Sequence, residues 1–514
     1  MSCPLAAVSD TWRDVRASSG RLDKRRRMAQ LFERLEGDDL RLAALYLSGE
    51  LPQSTIGVGW SQLSEALKLA PAGAQGEPLT LRDVDACFES VAATSGAGSL
   101  RARKEALAGL LARASPEERD LLSGLLMGEL RQGALRALVV EAIAAARRVD
   151  PAALRKAVMN AGSLGAVAGA LAAEGEAALA RFDLTPLVPV EPMLAATATD
   201  LEAALVDLGG EAAAEWKLDG VRVQLHRLGD QASAYTRSLR DVTAGSPELV
   251  ALALSLPAES FILDGELVWL DDAGAPAAFQ DLMSRFSTED APPAAGMRPF
   301  FFDVLYLSGE VLVDRPDRER RVALEGLVGA ARSIPRRVVR SAAEAQAALD
   351  EALDAGHEGM MLKALDAPYQ AGRRGGLWRK VKTAHTLDLV ILAAEWGHGR
   401  RRGLLSNLHL GARDPADPEK FWMLGKTFKG LTDAMLRELT EELAKIAVEK
   451  DDFVVRVRPE RVVEIAFDDV QRSTRYDSGL ALRFARVKRF RPDKRADQAT
   501  TLDEIRAVAG TRRR

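Results

Sequence analysis

Residues 215–227 read EWKLDGVRVQLHR. The chain carries 70 basic side chains, of which 15 are lysine and 55 arginine, and no lysine follows Lys217 until Lys363. A lysine kept in a strand-like run of so arginine-rich a chain points to a position that requires an amine. Along a strand, residues two apart share a face. Glu215, Lys217 and Asp219 therefore share one side, and Trp216 and Leu218 the other. Past Gly220 the phase changes, and Val221, Val223 and Leu225 become the apolar set opposite Arg222, Gln224 and His226. Asp-Gly between two alternating runs is a hairpin-turn signal. The pattern alone fits a surface hairpin with a charged outer face. A second reading is a nucleophilic lysine, because an amine can form a covalent bond through its neutral form while a guanidinium stays protonated.

Further motifs follow in order. FILDGELV (261–268) places Asp264, Gly265 and Glu266 in a second strand-turn, and FFFDVLYL (300–307) is an aromatic strand. GHEGMMLK (356–363) offers Glu358, Gly359 and Lys363. GRRGGLWRKVK (372–382) offers Arg374, Lys380 and Lys382, with Trp378, Lys380 and Lys382 on one strand face. A helical stretch at 342–355 lies among them. Each motif alone is weak; five in this order within one α+β region is specific. Met360 and Met361 are expected in the core.

Upstream the texture is helical. Met28, Leu31, Phe32 and Leu35 recur at helical spacing. Ser115-Pro116-Glu117-Glu118 is a helix start with its capping box. The apolar periodicity continues to about residue 146, with Gly124, Gly128 and Gly133 as candidate interruptions. The expectation is an all-α domain over 1–185, with the proline-rich DLTPLVPVEPM (183–193) as linker. The α+β core then covers 186–383. From 384 to 514, strands such as LDLVILAAEW, LSNLHLGA, FWMLGKTF and VVEIAF, with one helix near 431–448, suit a small barrel.

Bulk properties set outer limits. A chain of 514 residues is too long for one core. Apolar content of 47% with 28% charged residues fits a soluble globular protein. There is no run of 18 apolar residues and no signal-peptide pattern at the start, so a cytoplasmic protein off the membrane is expected. Two cysteines support neither a disulfide framework nor a four-cysteine zinc site. The five histidines show no metal-binding spacing and are mostly expected at the surface or in turns. The net charge of −4 does not advertise a nucleic-acid binder, yet residues 472–495 hold nine Lys/Arg against two acids.

K-x-D-G at 217–220, DGE at 264–266, FDVL at 302–305, EGMMLK at 358–363 and WRKVK at 378–382 resemble the motifs of the covalent nucleotidyltransferases: DNA ligases, RNA ligases and mRNA capping enzymes. ALRFARVKRFRPDK (481–494), VVEIAFDDVQRSTRY before it and the N-terminal helical region with LLMGELRQGA (125–134) are similar to ATP-dependent DNA ligases of archaea and some bacteria. Ala485 departs from that family's frequent proline. The resemblance implies a multidomain α and α+β protein: a helical DNA-binding domain, an ATP-grasp-like nucleotidyltransferase core and a C-terminal OB-fold barrel. The activity it implies is sealing of nicked duplex DNA with ATP and Mg2+.

The resemblance also implies roles. Lys217 becomes the nucleophile that carries AMP. A free lysine has a pKa near ~10.4, so like-charged neighbours are needed to favour the neutral amine; Lys380, Lys382 and magnesium would serve, the lysines also holding phosphates. Glu266 and Glu358 are the expected magnesium ligands, Glu266 also lying near the ribose. Glu215 belongs to the adenine region, Phe302 stacks on the base, and Lys363 is a further ATP-site residue. Arg222 and Arg237 reach phosphate or sugar. Arg374 carries over to the ATP site, with Arg373 as its alternative. Asp219 is expected to hold the turn. Arg483, Arg486 and Lys494 would orient pyrophosphate once the barrel closes about a hinge at 382–387.

DNA contacts should fall mostly on phosphates, with 21–27 and 400–402 as candidate stretches. A monomer is expected, with clamp or repair partners not legible. An RNA ligase, a capping-type enzyme or an inactive nucleic-acid binder are the alternatives.

Overall fold

The computed structural model of this chain describes residues 2–53, 56–70, 76–96, 98–130, 132, 136–198, 200–270, 297–370, 374–382, 385–397 and 401–511. Among these, ten helices run from Leu5–Ala17 to Leu164–Glu174 and share one apolar core between Cys3 and Leu179. The helix Pro116–Leu126 starts as its sequence dictates: Ser115 Oγ accepts from the Glu118 N–H, and the Ser115 N–H donates to Glu118 at 2.8 Å. The long periodic run does not form one helix. It breaks after Leu126, where Gly128 takes φ 66°, and resumes at Arg136–Arg147. Gly124 lies inside the first helix, and Gly133 lies outside the described residues.

Two five-stranded sheets build the core. The first contains β1 (Leu194–Thr197), β2 (Ala212–Lys217), β8 (Arg336–Val339), β9 (Gly359–Lys363) and β10 (Arg374–Lys382), in the order β1-β10-β9-β2-β8. The second contains β3 (Val221–Leu228), β4 (Gln231–Thr236), β5 (Ser260–Trp269), β6 (Met297–Leu307) and β7 (Glu310–Val311), in the order β4-β3-β5-β6-β7. Alternation sets what each strand faces. Ala212 and Ala214 of β2 join Met360, Leu362, Ala345 and Leu349 in one apolar cluster, leaving Glu215 and Lys217 on the opposite face. Val223, Leu225, Leu263 and Phe301 pack with the helices Pro247–Ser255 and Asp317–Val328.

The structure corrects two turn readings. The runs either side of Asp219-Gly220 form no hairpin, because β2 and β3 belong to different sheets. Gly220 is required by crowding: a Cβ there would lie 2.3 Å from the Leu267 carbonyl oxygen and 2.9 Å from Glu266 Cγ. Nor do Asp264, Gly265 and Glu266 turn. They sit inside β5, at an irregularity in its pairing with β6, where a Cβ on Gly265 would come within 2.7 Å of the Phe300 oxygen. In both places glycine marks close backbone approach. A third correction concerns His226, which is fully buried on β3, accepts from the Leu187 N–H at 3.1 Å, and is pushed down to about 3 by burial.

The C-terminal region is β-rich, as expected. β11 (His385–Trp396) pairs with β12 (Leu405–Arg413) along one edge. Along the other edge it pairs in succession with β16 (Val462–Phe467) and with β15 (Val454–Val457). β13 (Phe421–Thr427), β14 (Ala447–Lys450) and β19 (Arg486–Phe490) extend the sheet, while β17 (Asp469–Arg472) and β18 (Leu480–Arg483) form a separate ribbon. The helix Asp433–Lys445 packs its Leu436, Leu439 and Leu443 into this core. No described helix is long and apolar enough to cross a membrane.

Candidate active site

A cavity of about 800 Å3 opens between the two core sheets and is bounded on one side by the C-terminal domain. Lys217, Glu215, Arg222, Arg237, Glu266, Phe302, Glu358, Lys363, Lys380, Lys382 and Arg483 all line it. The ordered motifs thus converge on one volume. Trp216, Lys429, Asp468 and Phe484 line it as well, without having been singled out in the sequence.

Lys217 ends β2 directly opposite Gly359 of β9, and Lys382 ends β10 opposite the same glycine. Gly359 takes φ 144°, and a Cβ there would lie 2.3 Å from the Val381 oxygen, so no other residue fits between these strands. Glu358 is thereby held between two lysines. It pairs with Lys217 Nζ, and Lys382 Nζ lies 3.1 and 3.0 Å from its two oxygens. Burial alone would raise the Glu358 carboxyl, yet the two lysines hold it below the ordinary carboxylate range. Glu266 stands opposite Arg222 across β5 and β3. Burial pushes its carboxyl up to about 7, against the pull of Lys217 and Arg222.

The other end of the cavity is aromatic. Phe302 and Trp378 meet edge to face with centroids 6.0 Å apart. Lys363 Nζ sits 4.9 Å from the Phe302 centroid and 4.3 Å from that of Trp378, and pairs with Glu215 at 2.6 Å. Both Lys363 and Glu215 are 1% exposed, so this amine is committed to the cavity wall.

Arg222 departs from the expectation that it reaches phosphate or sugar. Its guanidinium forks onto the fully buried Asp264 at 3.0 and 2.6 Å and donates to the Met193 carbonyl at 2.7 Å. A buried carboxylate needs a partner cation, and Arg222, 5.3 Å from the Phe302 ring, supplies it. Arg237 is exposed at the cavity edge after β4. Arg374 opens β10 beside Leu194; its side chain and Arg373 lie outside what the structure describes.

The C-terminal contribution divides. Arg483 Nη1 donates to Asp219 at 3.2 and 3.4 Å, so Asp219 bridges two domains as well as linking two sheets. Burial and the neighbouring Glu358 raise the Asp219 carboxyl while Arg483 opposes them. Lys382 also donates to Asp468 at 3.2 Å, and Arg486 pairs with that carboxylate at 3.4 Å, one step outside the cavity. Lys494 does not line the cavity and instead pairs with Asp388 at 2.6 Å, next to Arg491. Phe484, at φ 54° and 54% exposed, stands at the cavity rim with Lys429 Nζ 5.3 Å from its ring. From the sequence Asp219 is expected only to hold the turn, and Asp468 is not singled out, because their partners Arg483, Lys382 and Arg486 are remote in the chain. Arg483 is legible through the ligase-like motif ALRFARVKRFRPDK and the positive charge of 472–495.

Family models match three stretches: “ATP dependent DNA ligase domain” over 192–382, “ATP dependent DNA ligase C terminal region” over 401–494 and “DNA ligase N terminus” over 64–144. A “Probable DNA ligase” of Anaeromyxobacter dehalogenans is 51% identical over 511 residues, covering 98% of this chain and 99% of the relative. One from Saccharopolyspora erythraea is 50% identical over 510 residues, covering 99% and 98%. The solved structure described as “Pmar-Lig_PreS3” superposes with a TM-score of 0.65 at 18% identity, covering 94% of this chain and 99% of the other. That last likeness concerns the fold.

Proposed function

The chain belongs to the ATP-dependent DNA ligase family, and from that membership we propose the role of each side chain around its cavity. The activity is sealing of nicks in duplex DNA at the expense of ATP. Lys217 Nζ is the nucleophile. It attacks the α-phosphorus of ATP, a nitrogen–phosphorus bond forms, and the bond to the pyrophosphate oxygen breaks with the electron pair leaving on pyrophosphate. AMP then passes from Lys217 to the 5′-phosphate at a nick. The 3′-hydroxyl attacks that phosphate, and AMP departs. Each step is a phosphoryl transfer, in which positioning and neutralisation of charge dominate.

One observation carries the reading: Lys217, Glu266, Glu358, Lys380 and Lys382 line a single cavity whose far end is Phe302 and Trp378. Phe302 offers a face to adenine and Glu215 an acceptor to its edge. Lys380, Lys382 and Arg237 neutralise phosphate oxygens. Arg483 reaches the cavity from the C-terminal domain.

Glu358 and Glu266 fit magnesium. No cluster of three or more His, Cys, Asp or Glu side chains suited to a metal occurs among the described residues. Magnesium usually keeps several waters and binds through one or two carboxylates and substrate phosphates, a donor set that Glu266 and Glu358 supply at the cavity. When bound, magnesium neutralises phosphate charge. Glu358, held by Lys217 and Lys382, would hold the ion together with Glu266.

The three units, divided near residues 185 and 383, are proposed to act as a cytoplasmic monomer gripping DNA phosphates. Of the candidate stretch 21–27, Arg21, Arg26 and Arg27 are tied to Glu141, Asp23 and Asp14, so charge there is partly neutralised within the domain. Arg400 lies outside the described residues, and Arg401 donates to the Phe428 carbonyl.

The test is incubation with α-labelled ATP and magnesium, followed by denaturation. Label retained by wild type and absent from Lys217→Arg is expected; no label on wild type, or equal label on both, refutes the mechanism. Sealing of nicked DNA over nicked RNA separates the reading from an RNA ligase.

A further inference from the structure

A buried chain of alternating charges runs behind the base end of the cavity. Glu215 on β2 is reached by cations from the strands on both its sides. Lys363 Nζ on β9 lies 2.6 Å from Oε2, and Arg336 Nη1 on β8 lies 3.1 Å from Oε1. Arg336 is the direct cross-strand partner of Glu215. Its Nη2 donates to Asp317 Oδ2 at 2.5 Å, at the start of the helix Asp317–Val328. Arg320, one turn on, forks onto Asp303 at 2.7 and 3.0 Å. Asp303 directly follows Phe302 on β6.

This chain joins the two sheets. Glu215 belongs to the first sheet and Phe302 to the second, so neither sheet alone places a base edge against one and a base face against the other. Such a chain is weak evidence of stabilisation, since apolar replacements of buried ion pairs are often as stable or more so. What paired charges do supply is fixed geometry. Arg336 links the Glu215 end to the Asp317–Arg320–Asp303 end. A second tie is Lys363, which also donates to the Phe302 carbonyl at 3.3 Å.

Adenine presents an exocyclic amine, a donor, where hypoxanthine and guanine present a carbonyl oxygen. A carboxylate whose rotation is stopped by a cation on each oxygen still has lone pairs for that amine and repels a carbonyl. We infer that Arg336 is a positioning residue that sets base selectivity, by fixing the Glu215 carboxylate relative to the Phe302 ring. The inference rests on the reading of this cavity as the ATP site.

The test uses the full-length protein and compares self-labelling with ATP and with ITP, in which oxygen replaces the exocyclic amine. Wild type, Arg336→Met and Arg336→Lys are assayed at a temperature where thermal melting shows each to be folded. Arg336→Met is expected to lose about tenfold or more of the ATP-over-ITP preference, chiefly through a raised KM for ATP. Arg336→Lys, unable to span both Glu215 and Asp317, should lose about threefold or more, and it decides the matter if the methionine variant does not fold. Rates that fall in parallel on both nucleotides, with the preference intact, overturn the inference. So does a labelled wild type that shows no preference. A wild type that takes no label from ATP defeats the underlying reading instead.

Discussion

Arg483 of the C-terminal domain donates through Nη1 to both carboxylate oxygens of Asp219, at 3.4 and 3.2 Å, two residues past Lys217. The pair joins the segment that follows the proposed nucleophile to a domain 264 residues away in sequence. Asp219→Asn and Arg483→Gln should each slow self-labelling, and the double variant should be no slower than the worse single one. The partners' side chains are 18% and 25% exposed, so a coupling of about 1 kcal/mol is expected from the double-mutant cycle. Strictly additive effects on the labelling rate would show that the contact plays no part in closure.

Gly220→Ala tests the close approach between the Asp219-Gly220 link and β5. The added methyl meets the Leu267 carbonyl oxygen at 2.3 Å. Backbone cannot swing aside as a flexible side chain can, so about 1–3 kcal/mol of stability should be lost. Labelling should fall as well, because Lys217 and Glu266 flank the same contact. A variant with unchanged denaturation midpoint and unchanged labelling contradicts the packing described.

Phe302→Leu separates stacking from core packing. Phe302 is only partly buried and touches Trp378 edge to face. Loss of the flat ring should raise the KM for ATP by roughly 3- to 10-fold, the worth of about 0.5–1.5 kcal/mol for one aromatic contact. Thermal stability should change less than nucleotide affinity. An unaltered KM with a lowered melting temperature assigns Phe302 to the core.

His226 makes the fold sensitive to acid. Its folded pKa is depressed to about 3 by burial, against an ordinary 6.5. The unfolded chain therefore binds the proton first, and stability present above about pH 6.5 is lost as pH falls toward the folded value. At pH 5 this one group removes about 2 kcal/mol relative to neutral pH. Urea unfolding of His226→Asn at pH 7 and pH 5 should show a smaller decline than wild type, and equal declines would rule out this histidine as the cause.

Glycine shows where local reading stops. Asp219-Gly220 and Asp264-Gly265 both read as turns, since a glycine between alternating runs is a turn signal. The structure uses both for close backbone approach, where an added Cβ would lie 2.3 and 2.7 Å from carbonyl oxygens of other segments. The periodicity of the flanking strands was legible; the identity of the neighbouring strand was not. His226 is a similar case, as an apparently polar strand position whose outward face turned out to be covered by the 187–190 segment.

The helical, mixed and β-rich succession, the capped start at Ser115 and the strands carrying each motif were legible in the sequence, and the resemblance to covalent nucleotidyltransferases pointed to the residues from Lys217 to Lys382. Those rest on period, capping chemistry and motif order, which are local properties of the chain. The assembled fold is what turns Arg222 to Asp264, seals Lys363 into the wall against Glu215, pairs Lys494 with Asp388 away from the cavity, and lets Arg336 join the Glu215 carboxylate to the chain ending at Asp303. The physical reason is the cost of burying charge. Each buried ion must find a counterion within a few ångströms, and which one it finds depends on strands and helices brought together from distant parts of the chain.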